Sequence, residues 1–179
     1  MQKILNTLDK ISIILGGVAQ FIVILLITSM IYEVVARYGF NQPTLWAFDI
    51  SYMLNGTIFL LGAAYTLRND AHVRIDFLST KLSLRVQQWI NGIFYMLILG
   101  PIFTTFGYVA SQKAWKAFIT SEVESVSPWA PLVWPFYGVI AIGLLSFAIQ
   151  FFIEAIRYLL KQNVPGDHHG ELEVIEEFK

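Results

Sequence analysis

Four stretches of this chain, residues 11–32, 50–67, 86–112 and 125–153, each run without a single charged side chain. A helix rises about 1.5 Å per residue and needs roughly 20 residues to cross a hydrocarbon core of about 30 Å. Each run can therefore span a bilayer once. The second is the shortest and borrows Trp46 to Phe48 at its start, while the fourth is long enough to tilt or to begin in the interface. The expected fold is an all-α membrane protein with four transmembrane helices, over about residues 11–36, 46–67, 86–110 and 130–158, joined by short interfacial helical segments. Composition agrees, since 56% of the 179 residues are hydrophobic and 14% charged, with a mean hydropathy of +0.59. That is too apolar for an ordinary soluble domain.

Several function classes fall away at once. Twelve Lys and Arg against 13 Asp and Glu leave no concentrated basic face, so no nucleic-acid partner is expected. The absence of cysteine excludes disulfides, thiolate catalysis and Cys-ligated metal centres. A membrane cytochrome needs axial haem ligands inside its spans. The histidines are instead His72, in a loop, and His168 and His169, in the tail. No nucleotide-binding loop, nucleophile elbow or zinc motif is present. The expectation is a protein that is not an enzyme, holds no cofactor and has membrane lipids as neighbours.

The first run is longer than the roughly 7–15 apolar residues of a secretory signal, and no small-residue cleavage site follows it, so it is expected to remain as a spanning helix. Four spans place both termini on one side. With the termini inside, Lys3, Lys10, Arg68, Arg74, Lys81, Arg85, Arg157 and Lys161 lie inside and Arg37, Lys113 and Lys116 outside, which is the sense of the positive-inside rule. Tyr32, Tyr38, Phe40, Trp46, Trp115 and Trp129 then gather at the outer boundary, where amphipathic rings prefer to sit. Ile4, Leu5, Leu8 and Ile11 recur at helical spacing among charges, so the N terminus either lies along the inner surface or extends the first helix. Residues 76–85 have the same character and suit a second interfacial turn. Residues 1–162 form the membrane domain. Residues 163–179, with Pro165, Gly166 and five acidic side chains, form a solvated acidic cytoplasmic tail. There is no internal repeat.

Charges beside the apolar runs are the remaining candidates for chemistry. Glu33 and Arg37 are four residues apart and share a helix face. An ionisable group inside a bilayer is a functional candidate because its burial is costly. Counted from Ile11, however, Glu33 falls where the hydrocarbon ends and Arg37 one turn beyond. An interfacial ion pair, a docking contact for another protein and a proton or ion path all fit this placement. Glu154 and Arg157 repeat the pattern at the other end of the fourth span, and we read them as interfacial. In the second span Ser51, Asn55, Ile58, Gly62 and Thr66 follow one another at steps of three or four, giving a small and hydrogen-bonding stripe suited to helix–helix contact. Gly100-Pro101 is placed to kink the third span.

The stretch EVVARYGFNQPTLWAFDISY, residues 33–52, resembles the E-x-x-x-RY-x-FN-x-P-x-x-W segment of the small membrane subunit of TRAP (tripartite ATP-independent periplasmic) transporters. LGAAYTLRNDAHVRIDF, residues 61–77, is similar to that family's second segment, and PLVWPFYGVIAIGLLSFAIQ with Glu154 and Arg157 to its last span. Asp49 stands where the family usually carries Glu, which leaves the partner of that carboxylate open. The resemblance implies a scaffold subunit in the bacterial inner membrane. Its partners would be a large membrane subunit, which carries an organic acid (a dicarboxylate or a sugar acid such as sialic acid) and sodium, and a periplasmic substrate-binding protein. On that view Glu33, Arg37, Asn41, Trp46 and Asp49 are candidate subunit or binding-protein contacts, and Ser51, Asn55, Gly62 and Thr66 a candidate packing stripe. Two other classes stay in play. One is a non-catalytic anchor of an electron-transfer complex, disfavoured by the missing intramembrane histidine. The other is a small autonomous exporter coupled through Glu33.

Overall fold

The computed structural model describes residues 2–69 and 83–161. Helix α1 (Gln2–Val34) ends in a π-helical turn, Val35–Gly39. Then come α2 (Ala47–Arg68), α3 (Leu84–Phe94), a second π-helical turn (Tyr95–Leu99), α4 (Gly100–Ile119) and α5 (Trp134–Leu159). With the π-helical turns included, α1, α2, the continuous α3–α4 rod and α5 make four helices long and apolar enough to cross a membrane. At 33 residues, α1 is about 50 Å long, well beyond a hydrocarbon core of about 30 Å. Of the two readings of the N terminus, the structure adopts the helical extension. Residues 70–82, which hold His72 and most of the expected interfacial turn at 76–85, lie outside the described residues, as does the acidic tail.

Where the helices begin and break follows from a few residues. Pro135 sits in the first turn of α5, where its missing N–H leaves nothing unsatisfied. The apolar run that begins at residue 125 is therefore loop until Trp134. Inside the third rod, Pro101 deprives the carbonyl one turn before it of its usual donor. The Gly100 N–H reaches back to Tyr95 O, a five-residue bond that marks a local widening of the helix. Gly100 is also where the rod meets α5, since a Cβ there would lie 2.7 Å from the Phe152 ring.

Packing is centred on α5. It contacts α2 on one side and the α3–α4 rod on the other, while α1 packs mainly on α2. Half of the most apolar window of α5 is buried, against 11–17% for the other three spans. The four helices thus form a row, α1, α2, α5 and then α3–α4, with no major seam between its two edges among the described residues. Small residues let the backbones close up, as in other membrane helix pairs. A Cβ on Gly16 of α1 would come within 2.6 Å of Tyr65 in α2, and one on Gly107 of α4 within 2.6 Å of Leu145 in α5. Aromatic rings fill the α4–α5 seam, with Phe103 and Phe147 centroids 4.7 Å apart.

Candidate functional site

The charged side chains of the described residues lie toward the two ends of the helices. At one end, Glu33 closes α1. Its carboxylate accepts from Arg37 Nε at 2.8 Å and from the Thr44 N–H at 3.0 Å, and also from Arg37 Nη2 and Thr44 Oγ1. The loop after Gly39 is therefore folded back on its own helix. Asn41 makes that reversal with φ 53°, a conformation that asparagine tolerates better than most side chains. Trp46 stacks on Tyr32 with ring centroids 5.6 Å apart. Glu33 is largely covered, its side chain 13% exposed, whereas Arg37 is 52% exposed.

Asp49 belongs to a different contact at the same end. It is buried in the first turn of α2, where a carboxylate suits the helix dipole, and it accepts from the Ser127 hydroxyl. Ser127 Oγ in turn accepts from the Trp129 N–H at 3.1 Å. The loop carrying Ser127 is clamped at its base by bonds from Glu124 N–H to Pro131 O, 2.9 Å, and from Val133 N–H to Glu122 O, 3.1 Å. Asp49 thus anchors the α4–α5 loop to α2, which supplies the carboxylate partner that the sequence leaves open.

The stripe on α2 divides. Ser51 reaches Met30 Sδ at 3.2 Å in α1, and Thr66 bonds back to Gly62 O at 2.9 Å. Asn55 is exposed, and a Cβ on Gly62 would meet nothing within 4 Å. The close approaches within the chain are made elsewhere, at Gly16, Gly107 and Gly143. Asn55 and Gly62 are left on an uncovered face of α2.

At the opposite end Glu154 and Arg157 are more than a local pair. Glu154 is 3% exposed, and the pair is part of a network that ties α5 to α1. Arg157 donates to Glu154 Oε1 at 2.9 Å and to Asp9 Oδ2. Gln150 donates to Glu154 Oε1 at 2.9 Å and to Asp9 Oδ1 at 3.3 Å, and accepts from Ser12 Oγ at 2.7 Å. Arg68 from α2 brings its Nε to 3.7 Å of Asp9 Oδ2, an ion pair without a hydrogen bond. Two carboxylates face two guanidinium groups, so the charges balance, as the burial of ions requires. Asp9 and Glu154 are buried, while the Arg157 and Arg68 side chains keep part of their surface exposed. Gln150, Glu154 and Arg157 fall at i, i+4 and i+7, and Asp9 and Ser12 at i and i+3. That spacing is visible in the sequence, although nothing local pairs the two helices.

At both ends the carboxylates are engaged by donors. The Glu33 carboxylate is taken up by four donors, and both carboxylates of the Asp9 network hold arginine. Among the described residues no group of three or more potential metal ligands comes together. What both ends do is hold helices and loops in register.

Residues 26–161 match the profile of the family described as Tripartite ATP-independent periplasmic transporters, DctQ component. The chain belongs to that TRAP transporter family. A 96-residue stretch, 54% of the chain, is 28% identical to the sialic acid TRAP transporter permease protein SiaT of Haemophilus influenzae (strain 86-028NP) and covers 15% of that protein. The chain thus aligns with only a small part of this longer permease. The family match, which begins at residue 26, takes in Glu33, Arg37, Asp49 and the α5 side of the Asp9 network. Asp9 and Ser12 lie before it. This TRAP family member is a multi-pass membrane protein by its four spans and its family together.

Proposed function

We propose that this chain is the small scaffold subunit of a TRAP transporter in a bacterial inner membrane. It pairs with a large transport subunit, and the pair takes up an organic acid together with sodium after delivery by a periplasmic binding protein. The observation that carries the reading is the family match over most of the four-span region, joined to polar side chains committed to holding the fold. The SiaT relative is a sialic acid permease by name, which supports counting a sugar acid among the candidate substrates. Both termini face the cytoplasm on this view, and the Glu33 and Asp49 contacts face the periplasm. Glu33, Arg37, Asn41, Trp46 and Asp49 shape the outer surface offered to the other components, and the Asn55–Gly62 face of α2 is the surface offered to the large subunit. The test is copurification: tagged chain expressed with the large subunit retains it through a detergent wash. Recovery of the chain alone under conditions that keep the large subunit folded would refute the pairing.

A further inference from the structure

One feature lies apart from both polar ends and from the α2 face. Helix α3 turns Gln87, Gln88 and Gly92 inward, where a Cβ on Gly92 would meet the Leu159 side chain at 2.9 Å. Its other side carries an open groove of about 490 Å³ lined by Arg85, Trp89, Ile90, Ile93, Phe94 and Ile98, among others. Arg85 is the single charge in that lining. It is exposed and makes no hydrogen bond or salt bridge with another described residue, unlike Arg68 and Arg157.

We infer that this groove holds one anionic phospholipid, its phosphate on Arg85 and an acyl chain along Trp89, Ile93 and Ile98. Three observations favour that occupant. The first is charge. The groove surface itself is wholly apolar, and Arg85 adds only its aliphatic stem to it. The guanidinium has no partner among the described residues, and a basic side chain near a span end reaches to the headgroup level. The second is length. From Arg85 to Ile98 the helix rises about 20 Å, enough to pass from the headgroups through one leaflet of roughly 15 Å, half the hydrocarbon core. The third is side-chain size. Helices that pack in membranes meet through small residues, as Gly16 and Gly107 do in this chain, whereas the groove is walled by Trp, Ile and Phe. Trp89, one turn inward from Arg85, is placed where an indole prefers the membrane boundary.

Native mass spectrometry of the detergent-solubilised full chain tests the assignment, with phosphatidylglycerol and phosphatidylcholine of identical acyl chains as probes. Wild type is expected to retain phosphatidylglycerol roughly fivefold better, the equivalent of about 1 kcal/mol for one basic side chain near anionic lipid. Arg85→Gln, at an exposed position, should bring the ratio close to one while leaving phosphatidylcholine binding in place. Ile93→Trp, which fills the groove, should lower retention of both lipids. A wild-type ratio near one, or an unchanged ratio in Arg85→Gln, overturns the headgroup assignment. Undiminished retention in Ile93→Trp overturns the acyl-chain assignment. A photo-crosslinker at position 93 that captures a protein helix in the assembled complex, in place of lipid, overturns the occupant.

Discussion

Replacing Arg157 by methionine removes the cation that donates to both Asp9 and Glu154. Those carboxylates are 4% and 3% exposed. After the change the Gln150 amide still donates to both, and the Arg68 guanidinium stands 3.7 Å from Asp9 and is itself a third exposed. Stranding buried charge in this way typically costs about 3–5 kcal/mol. An ordinary polar contact between membrane helices averages only about 0.6 kcal/mol. For a chain of this size each kcal/mol corresponds to roughly 2–4 °C in melting temperature. The network reading therefore predicts a fall of about 6–20 °C, and a solvated interfacial pair about 1–2 °C, at the same conversion. Intrinsic tryptophan fluorescence on heating in detergent separates the two. Asp9→Leu, Glu154→Met and Arg157→Met combined should recover much of the loss, because apolar replacement of buried ion partners together is often close to neutral and the remaining Arg68 side chain is a third exposed. A fall below about 2 °C for Arg157→Met refutes the claim that the two carboxylates are shielded from water.

Gly107→Leu should lower the melting temperature and the yield, because a side chain there meets Leu145 within van der Waals contact, whereas Gly62→Leu should leave the isolated chain unchanged and weaken recovery of the large subunit. Ser127→Ala should free the loop between Ile119 and Trp134 by about 1–3 kcal/mol, the usual effect of leaving a buried acceptor without its donor, and limited proteolysis near Val126 reads that release. Glu33→Gln and Asp49→Asn should reduce uptake gradually, with the sodium stoichiometry of the remaining flux intact; an altered stoichiometry places these carboxylates on the ion path. Reporters fused after Lys179 should read cytoplasmic, and a periplasmic reading reverses the proposed orientation.

How far the sequence discloses this arrangement depends on how far apart the interacting residues lie along the chain. The four spans are visible because each needs only a long apolar run, and the Glu33–Arg37 pair because four residues make one helical turn. Thr44 completes that pair only after the loop doubles back through Asn41, which local spacing does not reveal. Asp49 and Ser127 are 78 positions apart, and Asp9 and Arg157 are 148 apart. Their pairing follows from the helix order in space, set by which small residues meet which bulky ones. Asp9 lies outside the uncharged runs, and its burial and its contact with α5 have no local signature. The α2 stripe shows the converse. Its period was legible, but period alone does not say whether a face meets this chain or another.

Reconstitution into liposomes tests the scaffold assignment most directly. The chain alone, the large subunit alone, and the two together with the binding protein are assayed for uptake of a labelled organic acid under an inward sodium gradient. The account predicts no flux from this chain alone and sodium-dependent flux from the complete set, lost when the chain is left out. Uptake or export by the chain by itself would contradict it.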